Sequence, residues 1–295
     1  MVELMFPQLP AFLNEVLRLC IGFAVACALF IPLERLNALH RQKVLRREVA
    51  ADVGYYFLNG LLIGAVLSAP LSLVVWGAHR LLPGGFHAAL TALPIWARAV
   101  LALVVGEAGY YWGHRLSHEI PLLWRFHAVH HSAVQMDFLV NNRAHPVDLV
   151  VSRLFTFVPI YVLGIANPLS ASDSILVILV LAVSANWSYL IHANVRWRLG
   201  KVEWFLTSPA FHHWHHARSG AVNRNYATML PCMDLIFGTW HLPRTEWPEA
   251  YGITSEMPET LPEQLVYPLF SQPPPLSTAP ERAAGEAKGP DPGSH

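Results

Sequence analysis

Residues 114–131 read HRLSHEIPLLWRFHAVHH, which places five histidines in one short stretch. Residues three and four apart share a helix face, so His114 and His118 point the same way, and His127, His130 and His131 form one cluster. A third group, HHWHH, occupies 212–216, and eleven of the sixteen histidines lie between residues 114 and 216. Because imidazole is the commonest metal-binding side chain, this concentration predicts a metal site built on helices.

The composition around these histidines is that of a membrane protein. Hydrophobic residues make up 54% of the chain and charged residues 14%, against roughly 25% charged residues in an ordinary soluble domain. Twenty basic and twenty acidic residues cancel, which argues against nucleic acid as a partner. The three cysteines build neither a disulfide framework nor a cysteine-ligated cluster.

The apolar residues fall into runs that approach the length of a membrane-spanning helix, about 20 residues. We therefore predict an all-α, multi-pass transmembrane bundle with about four to five membrane segments. The candidate segments are Leu17–Leu33, Val53–Trp76, Ile95–Trp112, Val147–Ile165 and Ile175–Ile191.

The charge of the connecting loops predicts which side the histidines occupy. Residues 35–47 contain five basic residues, so the positive-inside rule makes this loop cytoplasmic. If successive membrane segments alternate in direction from this loop, the histidine groups form a helical cap on the cytoplasmic side of the membrane. In a bacterium, this membrane would be the inner membrane. The run from Val147 to Ile191 could instead dip into one leaflet, which leaves the histidines on the same face.

Shifts in composition divide the chain into four parts. Residues 1–98 hold the N-terminal membrane segments, residues 99–245 the histidine-rich catalytic domain, and residues 246–270 a C-terminal extension. Residues 271–295 are rich in Pro, Ala, Gly and Ser. Such a segment buries too little apolar surface to offset the entropy of ordering, so it is predicted to be disordered.

The number of histidines predicts two metal ions rather than one. Ten candidates are too many for one ion, since structural zinc takes four ligands and catalytic zinc about three plus water. A zinc-protease motif fails because Arg115 stands where its general-base glutamate belongs. The candidate ligands are His114, His118, His127, His130, His131, His145, His192, His212, His215 and His216.

The ordered motifs resemble the fatty acid hydroxylase/sterol desaturase superfamily, from about Ala99 to Trp240. They are HxxxH at 114–118, HxxHH at 127–131, Ala-His-Pro at 144–146, His-Ala-Asn at 192–194 and HxxHH at 212–216, followed by Asn-Tyr at 225–226 and Met-Asp at 233–234. The resemblance implies the three multi-histidine boxes as ligands, with His145 and His192 as further ligands or orienting groups. Arg196 departs from a paired histidine found in several relatives, and His213 is out of register with its box.

Four other residues are candidates for orienting the ligands, namely Asp148, Asn225, Tyr226 and Asp234. A carboxylate that accepts a hydrogen bond from a ligand imidazole fixes its tautomer. The two aspartates are equally able to pair with nearby arginines, Asp148 with Arg143 or Arg153, and Asp234 with Arg218 or Arg224. The tryptophans at 112, 124, 187, 197, 204 and 214 fit either a lipid pocket or an interfacial aromatic belt.

The resemblance further implies an enzyme with no catalytic residues separate from the metal ligands. It would use two iron ions and O2 to hydroxylate or desaturate a lipid such as a sterol, fatty acid or carotenoid, and zinc could replace iron in a purified form. No dinucleotide-binding turn or iron–sulfur motif is present in the sequence. The electrons must therefore come from a separate protein, either cytochrome b5-like or a ferredoxin with its reductase.

Two alternatives place the histidines in other classes of membrane protein. A metal-ion transporter would need polar residues near the bilayer midplane, whereas these histidines lie past the ends of the apolar runs. A bis-histidine haem electron carrier needs single histidines on facing helices and has no use for HxxHH triplets.

Overall fold

The computed structural model describes residues 10–81, 84–167 and 171–271, and these form α-helices and two short 3-10 helices without a strand. In chain order the α-helices are α1 Ala11–Asn37, α2 Val49–Leu81, α3 Gly84–Thr91, α4 Ile95–Glu119, α5 Pro121–His131, α6 Pro146–Val162, α7 Ala171–His192, α8 Pro209–His215, α9 Cys232–Ile236 and α10 Leu261–Phe270. The 3-10 helices are Phe138–Asn142 and Gly200–Trp204. The predicted all-α class is confirmed.

Two helices are long and apolar enough to cross a membrane among the described residues. They are α1 and the part of α2 from Val49 to Ala78. The predicted third segment is interrupted by Arg98 and Glu107, which α4 buries inside the protein. The predicted fourth corresponds to α6, which has only 17 residues. The count of four to five segments therefore stays a prediction.

The centre of the fold is a close antiparallel packing of α4 against α6. A Cβ built on Gly109 would lie 2.0 Å from the backbone oxygen of Phe155, so only glycine permits this approach. Gly106, one turn earlier on α4, faces Ile160 further along α6. Antiparallel packing brings the C-terminal end of α4, with the first histidine box, beside the N-terminal end of α6, with Asp148.

Apolar side chains from several helices complete the core around this pair. The buried members of this cluster are Ile63, Leu67, Leu71, Val75, Ala102, Phe157, Ile160, Tyr161, Ile165 and Ala166. They come mainly from α2, α4 and α6. Close packing of such side chains stabilises a helical core through many small van der Waals contacts.

Polar contacts tie the histidine-bearing region to the end of α1. The Glu34 carboxylate accepts hydrogen bonds from the backbone nitrogens of Phe138 (2.8 Å) and Asn194 (2.9 Å). Arg46 pairs with both Asp137 and Asp52. The segment before α6 and the segment after α7 are thereby held against the first two helices.

The C-terminal extension is partly helical. Leu261 of α10 packs over Gly54 of α2, where a Cβ would approach its Cδ2 atom to 2.7 Å, and Gln264 is buried. The tail predicted to be disordered from residue 271 lies outside the described residues, apart from Ser271 itself.

Candidate metal centre

Nine of the ten predicted ligands gather into two compact groups. In each group the ligand atoms all lie within 4.8 Å of one another, and every residue is buried. Group one contains His114, His118, His127, His131 and His215, and group two contains His130, His192, His212 and His216. Histidines up to about a hundred residues apart in sequence thus meet at one place.

In group one the Nε2 atom of His127 is the common neighbour. It lies 3.1 Å from the Nε2 atoms of His114, His118 and His131. Imidazole nitrogens bind a metal at about 2.0–2.1 Å, so two ligands at right angles lie about 3 Å apart. The observed separations match those of nitrogens around one metal ion.

The hydrogen bonds at the opposite ring nitrogens show that the close contact between His114 and His127 is not a hydrogen bond. His114 Nδ1 lies 2.7 Å from the backbone oxygen of Tyr226, and His127 Nδ1 lies 3.0 Å from a carboxylate oxygen of Asp148. Those oxygens only accept, so each Nδ1 carries a proton, and in the neutral ring the Nε2 then presents a lone pair. Two lone pairs 3.1 Å apart repel each other, and a cation bound between them would remove the repulsion.

Group two repeats the arrangement. The Nε2 atoms follow one another from His130 to His192 (3.3 Å), to His212 (3.0 Å) and to His216 (3.2 Å). The Nδ1 atoms of His130 and His192 donate to the backbone oxygens of Arg143 (3.0 Å) and Ser188 (2.7 Å). Their Nε2 atoms therefore also face each other as lone pairs.

His215 supplies an unsatisfied atom at the same centre. Its Nδ1 donates to the backbone oxygen of Arg224 at 2.8 Å, and its buried Nε2 has no hydrogen-bond partner among the described residues. A buried polar atom with no partner costs free energy unless something unseen satisfies it. A metal ion in group one would accept this lone pair.

The two groups are neighbours. The rings of His131 and His216 stack with centroids 4.5 Å apart, and those of His215 and His216 meet edge to face at 5.3 Å. Burial lowers the pKa of His130 to about 4 and that of His216 well below its usual value. These two imidazoles are therefore neutral at pH 7, which is the form that binds metals.

Asp148 contacts a ligand rather than an arginine. Its carboxylate accepts from His127, while Arg143 pairs with Asp52 (2.6 Å) and Glu48 (2.9 Å). Among the described residues, Arg153 forms no ion pair with Asp148. Of the two interpretations of Asp148, the orienting one agrees with these contacts.

Asp234 contacts the backbone that supports a ligand and not the ligand itself. It accepts from the backbone nitrogens of Tyr226 (2.9 Å) and Ala227 (2.8 Å) and from the Thr239 hydroxyl (2.7 Å). This fixes the carbonyl of Tyr226, which in turn receives His114 Nδ1. Asp234 therefore holds an acceptor for a ligand without touching the imidazole.

Asn225 and Tyr226 form the loop that carries this acceptor. Asn225 adopts a positive φ of 58°, a conformation that asparagine tolerates better than most residues. Its side-chain amide donates to the backbone oxygens of Phe211 (2.8 Å) and His241 (2.6 Å). The ring of Tyr226 packs edge-on to His118, with centroids 5.2 Å apart, and its hydroxyl has no partner.

The placement of His145 differs from the prediction. It belongs to neither group, because it caps α6: Nδ1 accepts from the backbone nitrogen of Val147 (3.1 Å), and Nε2 donates to the backbone oxygen of Leu265 (3.1 Å). Both ring nitrogens are thus used by the backbone. His213, which the sequence left outside the ligand set, also lies apart and contacts Tyr251 and Ala193.

Sequence reasoning missed the ionic network behind His130. The Arg143 side chain is fully buried between Asp52 and Glu48, and its backbone oxygen is the acceptor for His130 Nδ1. Asp52 at the start of an apolar run was the available signal. Its partner Arg143 lies 91 residues away, so the pairing itself could not be predicted from the sequence.

A cavity of about 340 Å³ opens beside the two groups. His127, His130 and His192 line one part of it, and apolar side chains including Ile63, Leu103, Leu149, Phe157, Ile160 and Val180 line another. Within the described part of the chain, the residues that line this cavity include none of the six tryptophans. Trp124 is instead buried against the rings of His118 and His131, at centroid distances of 5.3 and 5.7 Å.

Comparison with known proteins agrees with this centre. The profile of the fatty acid hydroxylase family matches residues 99–239. The ornithine lipid hydroxylase OlsE of Rhizobium tropici is 34% identical over 59% of this chain and 51% of its own length. Human alkylglycerol monooxygenase is 27% identical over 61% of this chain and 37% of its own.

This chain covers a larger share of a third relative than of the first two. Methylsterol monooxygenase 2-2 of Arabidopsis thaliana is 27% identical over 71% of this chain and 78% of its own length. The chain spans about half or less of the first two relatives. No solved structure matches it significantly. The matched segment, residues 99–239, contains all nine gathered histidines, so the similarity of this chain to the fatty acid hydroxylase family covers the whole candidate metal centre.

Proposed function

We propose that this protein is a membrane-bound di-iron oxygenase that uses O2 and external electrons to hydroxylate or desaturate a lipid. The observation that carries the proposal is the pair of adjacent histidine groups with Nε2 lone pairs facing one another. Two groups fit two ions. Neutral imidazoles also leave the metal charge largely uncompensated, which suits oxygen-derived anions.

The protein's own residues would bind and orient the metal ions. The nine gathered histidines would hold them. Five of the rings are fixed with Nε2 facing inward, because their Nδ1 atoms donate to Asp148 and to the backbone oxygens of Tyr226, Arg143, Ser188 and Arg224. Iron bound there would supply O2 activation and hydrogen abstraction from an unactivated C–H bond. Burial of every ligand excludes bulk water from that chemistry.

The cavity supports a lipid as the substrate. Its apolar lining from α2, α4, α6 and α7 suits an acyl or isoprenoid chain, and its histidine-lined part would place one carbon beside the metal ions. The names of the three relatives specify an ornithine lipid, an alkylglycerol and a methylsterol. What those substrates share is lipid character, which is the substrate class proposed here.

The electron donor and the membrane arrangement complete the proposal. A cytochrome b5-like protein, or a ferredoxin with its reductase, would deliver electrons from the cytoplasmic side. The basic residues at 35–47 favour that side for the adjacent histidine-bearing cap. The protein would cross the membrane several times, in the inner membrane if the cell is bacterial.

Turnover of purified protein tests the function. The protein, loaded anaerobically with ferrous iron in lipid nanodiscs, receives a chemical or protein reductant and a lipid extract. We expect O2 consumption that depends on the lipid, and a product that has gained one oxygen or lost two hydrogens. Uptake of labelled metal by proteoliposomes, or a Soret band, with no lipid oxidation would favour the transporter or haem alternative instead.

A further inference from the structure

Arg153 is a cation inside the substrate cavity that the centre described above does not use. It lies on α6, five residues after Asp148, and lines the same cavity as His127 and His130. Its guanidinium carbon sits 6.0 Å from the centroid of the Phe157 ring. The side chain is mostly buried, and its neighbours on α6 are predominantly apolar.

Within the part of the chain that the structure describes, Arg153 has no ion-pair or hydrogen-bond partner. The cavity contains two carboxylates, and both are engaged elsewhere. Glu107 accepts from the backbone nitrogens of Met229 (2.7 Å) and Leu230 (3.0 Å), and Asp148 accepts from His127. The other titratable groups lining the cavity are tyrosines and histidines, which are not anionic at pH 7.

An arginine in such surroundings is stabilised by an anion that balances its charge. Burying a charge without a partner is costly, and ionisable residues within membrane helices typically mark substrate or ion pathways. The planar guanidinium matches carboxylate and phosphate oxygens with two parallel hydrogen bonds. A ligand that brings such a group would supply the missing counter-charge.

We propose that Arg153 binds the anionic group of the lipid substrate, a carboxylate or a phosphate. The inference rests on the proposed function, because it takes this cavity to be the lipid site. Five residues of α-helix rise about 7.5 Å, so Arg153 lies close to the helix turn whose Asp148 orients His127. The oxidised carbon should therefore lie near the anionic group rather than at the far end of a long chain.

Binding of matched lipids to the purified wild-type protein tests the proposal without turnover. Hexadecanoic acid is compared with hexadecanol, and phosphatidic acid with a diacylglycerol of the same chains, by displacement of a fluorescent lipid. We expect at least about tenfold tighter binding of the anionic member in one pair, as the loss of a charged hydrogen bond implies. The pair in which the anionic lipid binds more tightly identifies the bound group as a carboxylate or a phosphate. Equal affinity within both pairs overturns the proposal.

Variants assign the selectivity to this side chain. Arg153→Gln should lose the preference for the anionic lipid, and Arg153→Lys should keep part of it. Arg18→Gln is the matched control, because Arg18 lies on the exposed face of α1, paired with Glu15. Unchanged selectivity in a folded Arg153→Gln protein contradicts the inference. If that variant does not fold, the wild-type comparison still decides.

The outcomes also separate this inference from the proposed function. Anionic selectivity that Arg153→Gln abolishes supports the inference even in a preparation without turnover. Oxidation of an anionic lipid with unchanged kinetics in Arg153→Gln contradicts the inference and leaves the oxygenase function standing.

Discussion

Asp148 accepts a hydrogen bond from Nδ1 of His127 at 3.0 Å, and this contact fixes the tautomer of the ring at the middle of group one. The opposite nitrogen then presents its lone pair to three other imidazoles at 3.1 Å. One carboxylate, placed at the first turn of α6 by the close packing of α4 and α6, thereby prepares a nitrogen for a metal ion.

Asp148→Asn removes the charge from this contact while keeping its size. Loss of such an orienting carboxylate typically costs 10- to 100-fold in metal affinity or activity, so we expect a drop in that range. Iron affinity by competition with a chelator measures it. Glu119→Gln is the control, because Glu119 follows His118, another member of group one, but pairs with Arg115 at the surface. Equal affinity of the Asn variant and wild type would refute the orienting role.

His145→Ala should keep both metal ions. The side chain caps α6 and lies outside both groups, so we expect only the loss of a helix cap, about 1 kcal/mol of stability. Metal analysis and thermal unfolding measure the two effects. His127→Ala serves as the contrast and should lose metal. A His145→Ala protein that binds one ion fewer would show that His145 is a ligand after all.

Asp234→Asn should weaken the centre through the backbone. The carboxylate holds the nitrogens of Tyr226 and Ala227, and an amide would direct a donor at one of them, at a cost of about 1–3 kcal/mol. We expect lower stability together with weaker iron binding, because the acceptor of His114 shifts. Cys232→Ser, an exposed neighbour on α9, should change neither. Reduced stability with full iron affinity would show that Asp234 contributes to folding and not to iron binding.

Gly109→Ala tests the packing that brings the boxes to Asp148. The added Cβ would meet the Phe155 backbone oxygen at 2.0 Å, so α4 and α6 must separate. We expect loss of iron and at least a few kcal/mol of destabilisation. Gly64→Ala on α2 is the matched control, since a Cβ there meets nothing within 4 Å and alanine favours a helix by about 1 kcal/mol. Similar thermal midpoints for both variants would contradict the account.

The sequence predicted the gathered histidines well because helical spacing is a local property. The ligand pairs within each box follow from residues three and four apart, and the structure then brings the boxes together. Helical spacing gives no information on the isolated His145, since an imidazole before a proline can also cap a helix. Most Nδ1 acceptors are backbone carbonyls, which no residue type reveals. The choice of His127 over an arginine as partner of Asp148 depends on tertiary packing.

The metal content of the purified wild-type protein tests the central claim most directly. Protein expressed with iron and isolated without chelator is measured for iron and zinc per chain by mass spectrometry of the metals. Two ions per chain, lost together with the substitution of His127 and His212 to alanine, is the expected result. A preparation that binds no transition metal, or that carries one haem iron, would contradict a centre built from nine inward-facing imidazoles.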